Sequence, residues 1–172
     1  MHRLFPYTLL FVTTLVVQAF LLDNLTISIY FAPMIYLAFV LLLPLDTPPV
    51  ALLAAGFVTG WLMDCAMGTD GLNVIATLPV ALLRPGIVGL CYTREDPHEG
   101  GIPSAARFGR GKFLRYLVLC VALHHLLFFA FEELSWAQAG RTLLRTLVSG
   151  TASVGFIWLA ALLFTLKRTT RV

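Results

Sequence analysis

The sequence predicts an all-α integral membrane protein with about six transmembrane helices, and composition is the first reason. Hydrophobic residues make up 59% of the 172 residues and charged residues only 12%, whereas a soluble domain carries roughly 25% charged residues. The mean hydropathy is +0.87. Because so few charges cannot coat a globule in water, the bilayer hydrocarbon is the expected solvent. The length fits a single polytopic domain over residues 1–172.

Apolar runs of about 20 residues, the length that crosses a bilayer, are the second reason. We expect spans near residues 4–22, 27–45, 49–68, 71–91, 113–134 and 143–166. The first resembles a signal peptide, but no small-x-small cleavage site precedes Asp23, so we expect an uncleaved span. The second has the weakest pattern because it contains Pro33 and ends in the short Pro48-Pro49 turn. A re-entrant segment there would leave five crossings.

The distribution of basic residues is the third reason, and it predicts the orientation. With the N-terminus inside, nine basic residues fall on the cytoplasmic side and two, Arg141 and Arg145, on the outer side. The positive-inside rule then places both termini and the loop 92–112 in the cytoplasm. The basic residues of that loop and of the positions just after it are Arg94, Arg107, Arg110, Lys112 and Arg115.

Several classes of function are disfavoured by the same features. The basic residues flank apolar spans, so they indicate contact with lipid headgroups rather than with nucleic acid. The longest loop is too short for an enzyme domain, and neither a phosphate-binding glycine loop nor a zinc-protease motif is present. The cysteines Cys65, Cys91 and Cys120 are far apart in apolar surroundings and are typical of buried hydrophobic positions. We therefore expect no metal, no cofactor and no catalysis.

A glycine-rich face in the third span is the most distinctive local pattern. Gly56, Gly60, Asp64 and Gly68 recur every four residues, with Gly71 just beyond, so one helix face carries small side chains. Such a face packs closely against another helix. That helix belongs either to this chain or to a partner protein. Asp64, a carboxylate inside a span, either has a functional role or a structural one, in which it caps a neighbouring stretch of backbone or pairs with a polar group inside the bundle.

Three other polar side chains lie within predicted spans. Arg84 precedes Pro85, and it would satisfy freed carbonyl groups, extend toward the cytoplasm, or pair with Asp64. His124 and His125 lie mid-span on faces about 100° apart, so they do not chelate one metal by themselves. Hydrogen bonding between helices is the favoured role of the histidines, with a proton path or metal site as the alternative.

These motifs together resemble a known family. Gly60-x-x-x-Asp64, followed by Gly68-Thr69-x-Gly71-Leu72-Asn73 and an apolar helix, resembles the MreD family, the rod shape-determining membrane proteins of bacteria. The basic loop, Phe113-Leu114-Arg115-Tyr116 and His124-His125-Leu126 resemble the Bacteroidetes-type members. The resemblance extends from about Asp46 to Glu133.

The resemblance implies a non-enzymatic scaffold of the cell-elongation complex in the bacterial inner membrane. Such a scaffold helps to couple the cytoskeleton to peptidoglycan synthesis. Its implied partners are an MreC-like single-span protein, the MreB filament, and the glycosyltransferase RodA with its transpeptidase. The resemblance also implies a fold similar to the S components of energy-coupling-factor transporters.

That similarity of fold supplies the alternative function, which is the binding of a vitamin-like small molecule. Against it, the sequence offers few interior groups for a polar ligand, mainly Asp64, Asn73, Arg84, His124 and His125. A third class, an intramembrane enzyme, lacks a recognisable nucleophile–base arrangement in the sequence.

Overall fold

The computed structural model describes residues 5–24, 28–92, 101–134 and 136–169, and most of these residues are helical, with no strand among them. Among the described residues, five helices are long and apolar enough to cross a membrane: Phe5–Leu22, Pro49–Met67, Leu72–Cys91, Arg110–Glu133 and Ala139–Thr165. The predicted helical membrane protein is confirmed, and five of the expected spans are helices at nearly the expected positions. The first predicted residue of the first span, residue 4, lies outside the described residues.

The elements other than α3 have the following bounds. α1, Phe5–Val16, continues as a π-helical turn over Val17–Leu22. α2 is the short helix Leu37–Leu41, and α5 is the four-residue helix Ala105–Phe108. α4 is Leu72–Cys91, α6 is Arg110–Glu133 and α7 is Ala139–Thr169.

α3, Pro49–Met67, starts with a proline at its first position, where the missing N–H costs nothing. The turn that follows it uses two glycines, Gly68 with φ +66° and Gly71 with φ +90°. This left-handed conformation is nearly free for glycine and strained for other residues. An added Cβ at either glycine would meet nothing within 4 Å. Both residues therefore form the turn between α3 and α4, and they do not extend the close-packed face that the sequence predicted.

Neighbouring helices along the chain pack as antiparallel pairs, α3 with α4, α4 with α6, and α6 with α7. One end of the bundle, which we call the hairpin end, holds the turn 68–71 and the turn after α6. The other end, the loop end, holds the connection from α4 to α6. At the loop end α1 meets α7, where the rings of Tyr7 and Phe164 lie 5.5 Å apart.

The predicted second span is not a long helix. Residues 25–27 lie outside the described part, and residues 28–45, which we call the central segment, hold only the five-residue α2. The reason is proline spacing. Pro33 disfavours a helical conformation at the residue before it, and only ten residues separate it from Pro44. Ten helical residues rise about 15 Å, half of the roughly 30 Å hydrocarbon core.

The central segment nevertheless runs from one end of the bundle to the other. Ala32 contacts Ser149 of α7 near the hairpin end, and Tyr36 reaches His124 in the middle of α6. At the loop end, the Leu45 amide donates to the Gly101 carbonyl. Between these points α2 packs against α3, α4, α6 and α7. The surrounding helices enclose the middle of the segment, and its residues Tyr36, Leu37 and Leu41 are completely buried.

Candidate functional site

Side chains of the surrounding helices take the place of helical hydrogen bonds near the hairpin end of the central segment. The Ala32 amide donates to Ser149 Oγ at 3.0 Å, and the Ser149 hydroxyl donates to the Tyr30 carbonyl at 2.8 Å. One turn along α7, Ser153 Oγ accepts from the Met34 amide at 2.8 Å. These two serines, four residues apart on one helix face, supply partners for an extended stretch of backbone that the bilayer could not solvate.

Gln18 performs the same task from the opposite side. Its amide nitrogen donates to the Pro33 carbonyl at 3.1 Å, and its amide oxygen accepts from the Ile35 amide at 2.7 Å. Gln18 lies in the π-helical turn that extends α1, a distortion that frequently occurs at functional sites. The central segment is therefore held between α1 and α7 over residues 30–35.

Arg84 and Tyr116 hold the other half of the segment. The Arg84 guanidinium donates to the carbonyls of Leu41 at 3.3 Å and Pro44 at 3.4 Å, and also to that of Leu43. Its Nε donates to the Tyr116 hydroxyl at 2.9 Å, which in turn donates to the Leu41 carbonyl at 2.9 Å. Since these carbonyls follow the end of α2, the cation also lies at the negative end of that helix.

Of the three roles predicted for Arg84, the structure bears on two. Arg84 satisfies carbonyl groups, but they belong to the central segment rather than to its own proline-containing helix. It does not pair with Asp64. Among the described residues no carboxylate lies within ion-pair distance of this buried cation.

A buried hydrogen-bond chain joins the middle of the central segment to α4 and α6. The Tyr36 hydroxyl donates to Asn73 Oδ1 at 2.8 Å and lies 2.7 Å from His124 Nε2. Thr77 Oγ1 lies 3.3 Å from the same nitrogen. With Tyr36 donating to Asn73, His124 donates from Nε2, and its Nδ1 has no hydrogen-bond partner in the described part of the chain. The expected interhelical role of His124 is therefore seen.

Asp64 caps the helix that follows it. Its Oδ1 accepts from the Thr69 hydroxyl at 2.7 Å, from the Asn73 amide at 2.8 Å and from Asn73 Nδ2 at 3.1 Å, while Oδ2 accepts from the Val74 amide at 3.0 Å. These backbone amides are unpaired donors in the first turn of α4, where a carboxylate is favoured. Of the two roles considered for Asp64, the capping role is the one that the geometry supports.

The glycine face packs inside the chain at two of its positions. A Cβ on Gly60 would lie 2.8 Å from Val74 Cα and 2.9 Å from Val74 N, and one on Gly56 would lie 2.8 Å from Ala81 Cβ. α3 and α4 therefore touch backbone to backbone at Gly60.

His125 and Ser153 form a pair that the sequence did not reveal. His125 Nε2 lies 3.0 Å from Ser153 Oγ, and its Nδ1 lies 3.0 Å from the Val121 carbonyl. This spacing is that of a nucleophile and its base. The Ser153 side chain, however, is fully buried and already bonded to the Met34 amide and the Ser149 carbonyl. The pair fastens the central segment to α6 and α7.

The residues of the predicted basic loop are divided between a short linker helix and the start of a span. Arg94 lies outside the described residues. Arg107 belongs to α5, while Arg110, Lys112 and Arg115 lie in the first turns of α6. Arg110 and Arg115 are exposed. Within the described residues, no group of three His, Cys, Asp or Glu side chains is placed to hold a metal.

Sequence reasoning missed most of the polar residues that fix the central segment in place. They are Tyr36 within the segment and, around it, Gln18, Thr77, Tyr116, Ser149 and Ser153. The available signal was the presence of uncharged polar side chains within apolar spans, together with prolines that prevent one span from forming a long helix.

A small cavity of about 60 Å³ lies beside Gln18 and Pro33. Ligand sites usually measure about 300–1,000 Å³, so this space suits water rather than a vitamin-sized molecule.

Comparison with known proteins found no match to the chain among protein-family models, curated proteins or solved structures.

Proposed function

We propose that this chain is a non-enzymatic membrane scaffold of the bacterial cell-elongation complex. The observation that carries the proposal is how the interior polar groups are used. Side chains of the surrounding helices hydrogen-bond to the backbone of the central segment. Ser153 accepts from the Met34 amide, and donors to the carbonyls of the segment are Gln18, Arg84, Tyr116 and Ser149. When the interior polar side chains of a bundle are hydrogen-bonded to its own backbone, the bundle has a fixed shape and few polar groups are left to bind a polar ligand.

We further propose that the central segment is a sixth crossing, made without a long helix. Non-helical backbone at membrane depth is tolerated only where protein encloses it, and the middle of the central segment is enclosed. Six crossings put both termini and the basic loop on one side, which the positive-inside rule assigns to the cytoplasm. The resemblance to the MreD family implies that this membrane is the bacterial inner membrane.

The partners follow from the resemblance to the MreD family. An MreC-like single-span protein is the direct partner, and MreB, RodA and its transpeptidase complete the assembly. The outer surface of the bundle carries many large apolar side chains, among them Phe20, Trp61, Leu82 and Leu90. Such a surface accepts either lipid or another protein's transmembrane helix.

Depletion in the encoding bacterium tests the function. In a rod-shaped host, loss of the protein should make cells round, and the MreC-like protein should co-purify with the intact chain from native membranes. The transporter alternative makes a different prediction: a vitamin-like compound bound by the isolated protein, and growth restored by supplying that compound. Restoration by a nutrient, with cell shape unaffected throughout, would reject the scaffold.

A further inference from the structure

A groove at the hairpin end lies between α3 and α4, away from the central segment. Its volume is about 430 Å³, and it is open to the outside. Its lining consists of Trp61, Asp64, Cys65, Thr69, Asp70, Gly71, Val74 and Ile75. The hydrogen bonds that hold the central segment come from other side chains, so the groove is a separate feature of the bundle.

The walls of the groove are apolar, and its rim is acidic. Trp61 is 53% exposed on α3 and Ile75 is 42% exposed on α4, facing the space where a bilayer would place hydrocarbon. Asp70, in the turn 68–71 that joins α3 to α4, is exposed. In the described part of the chain no basic side chain forms an ion pair with Asp70. The carboxylate of Asp64 is occupied by α4 amides, so Asp70 supplies the negative charge that a partner can meet.

The floor of the groove is preformed. The backbone contact at Gly60 fixes the distance between α3 and α4, and the Asp64 carboxylate fastens the turn through Thr69, Asn73 and Val74. A binding surface that is already ordered loses little conformational entropy when a partner docks. A groove between two helices is also the shape that receives the apolar face of a third helix.

We propose that this groove binds the transmembrane helix of a single-span partner, with the outer end of that helix carrying a lysine or arginine beside Asp70. The apolar half of the partner helix packs against Trp61 and Ile75, and its basic residue pairs with the carboxylate at the membrane interface. The inference rests on the proposed scaffold function and names the face through which the MreC-like protein is held.

Cysteine cross-linking in membranes tests the proposal, because Cys65 lies in the groove and is exposed whereas Cys91 and Cys120 are buried. The full chain is co-expressed with the MreC-like protein of the same bacterium, which carries single cysteines at successive positions in the outer half of its span. Oxidation should cross-link Cys65 to positions that recur every three to four residues, the helical period. Cys65→Ser should abolish the products.

A charge exchange tests the acidic rim. Asp70→Lys should lower the cross-linked yield roughly tenfold because attraction becomes repulsion, and a glutamate at the partner's outer basic position should restore it. Asp23→Lys is the matched control: Asp23 is also exposed at the hairpin end but lies outside the groove, so its charge reversal should leave the yield unchanged.

Each remaining outcome overturns a different claim. If the partner co-purifies but shows no periodic cross-link to Cys65, the groove is not its site and the scaffold function stands. If Cys65 cross-links two copies of this chain, the occupant is a second copy. If an amine-bearing phospholipid is retained by the wild-type chain and lost in Asp70→Lys, without any protein cross-link, the groove binds lipid. If no partner co-purifies and depletion leaves cell shape intact, the proposed function itself fails.

Discussion

Replacing Gly60 with alanine should destabilise the bundle, although alanine is the better helix former. The added Cβ would lie 2.8 Å from Val74 Cα, 2.9 Å from Val74 N and 3.0 Å from the Asn73 carbonyl oxygen. All three are backbone atoms, which cannot rotate away. α3 and α4 must therefore move apart by about 0.6 Å to reach ordinary van der Waals contact, and overpacking of this kind costs about 1–3 kcal/mol.

The matched control is Gly89→Ala in α4, where an added Cβ meets nothing within 4 Å. Both substitutions gain roughly 0.5–1 kcal/mol of helix propensity, so the difference between them isolates the contact. We expect Gly60→Ala to unfold at a lower temperature than Gly89→Ala in the same detergent, by about 2–4 °C for each kcal/mol. Tryptophan fluorescence during heating measures both. Equal transition temperatures would refute the backbone contact between α3 and α4.

Three further substitutions test the hydrogen bonds of the interior by the same thermal measurement. Ser153→Ala leaves the Met34 amide of the central segment without its acceptor and should cost about 1–2 kcal/mol of stability. Thr151→Ala, on the exposed side of the same helix, should cost less. Equal losses of stability would argue against the serine contact. Arg84→Met leaves the Leu43 carbonyl without its donor, whereas Tyr116 still donates to Leu41 and Thr47 still donates to Pro44. It should therefore cost about 1–3 kcal/mol, and the exposed Arg110→Met should be near neutral. Asp64→Asn can accept at one side-chain atom instead of two, so it should cost about 2–3 kcal/mol; a variant as stable as the wild type would exclude the capping role.

Much of the fold could be predicted from the sequence, because hydropathy identifies membrane-spanning helices directly. Long apolar runs predicted α3, α4, α6 and α7. Gly68 and Gly71, however, were assigned to a packing face, and they form the turn between α3 and α4 instead. The same reasoning did not predict the conformation of the central segment. Its apolar composition resembles that of a spanning helix, and only Pro33 and Pro44 indicate that twenty helical residues do not fit.

The polar contacts were harder to predict, since they join residues far apart in the chain. Asp64 meets Asn73 nine residues later, so a capping role was within reach of local reasoning. Arg84 bonds to backbone more than forty residues earlier, and Ser153 to backbone 119 residues earlier. Such partners depend on how the central segment threads between the helices, which no local pattern encodes. The same holds for the groove beside Trp61, which exists only once α3 and α4 are packed.

The proposed topology requires the central segment to cross the membrane, and the accessibility of cysteines on its two sides tests this directly. In a chain without native cysteines, Asp23→Cys and Asp46→Cys place one exposed thiol before the segment and one after it. In intact cells an impermeant thiol reagent should label the thiol at position 23, and it should reach position 46 only after the membrane is opened. Labelling of both positions in intact cells would show that the segment returns to the side from which it entered, and would contradict six crossings.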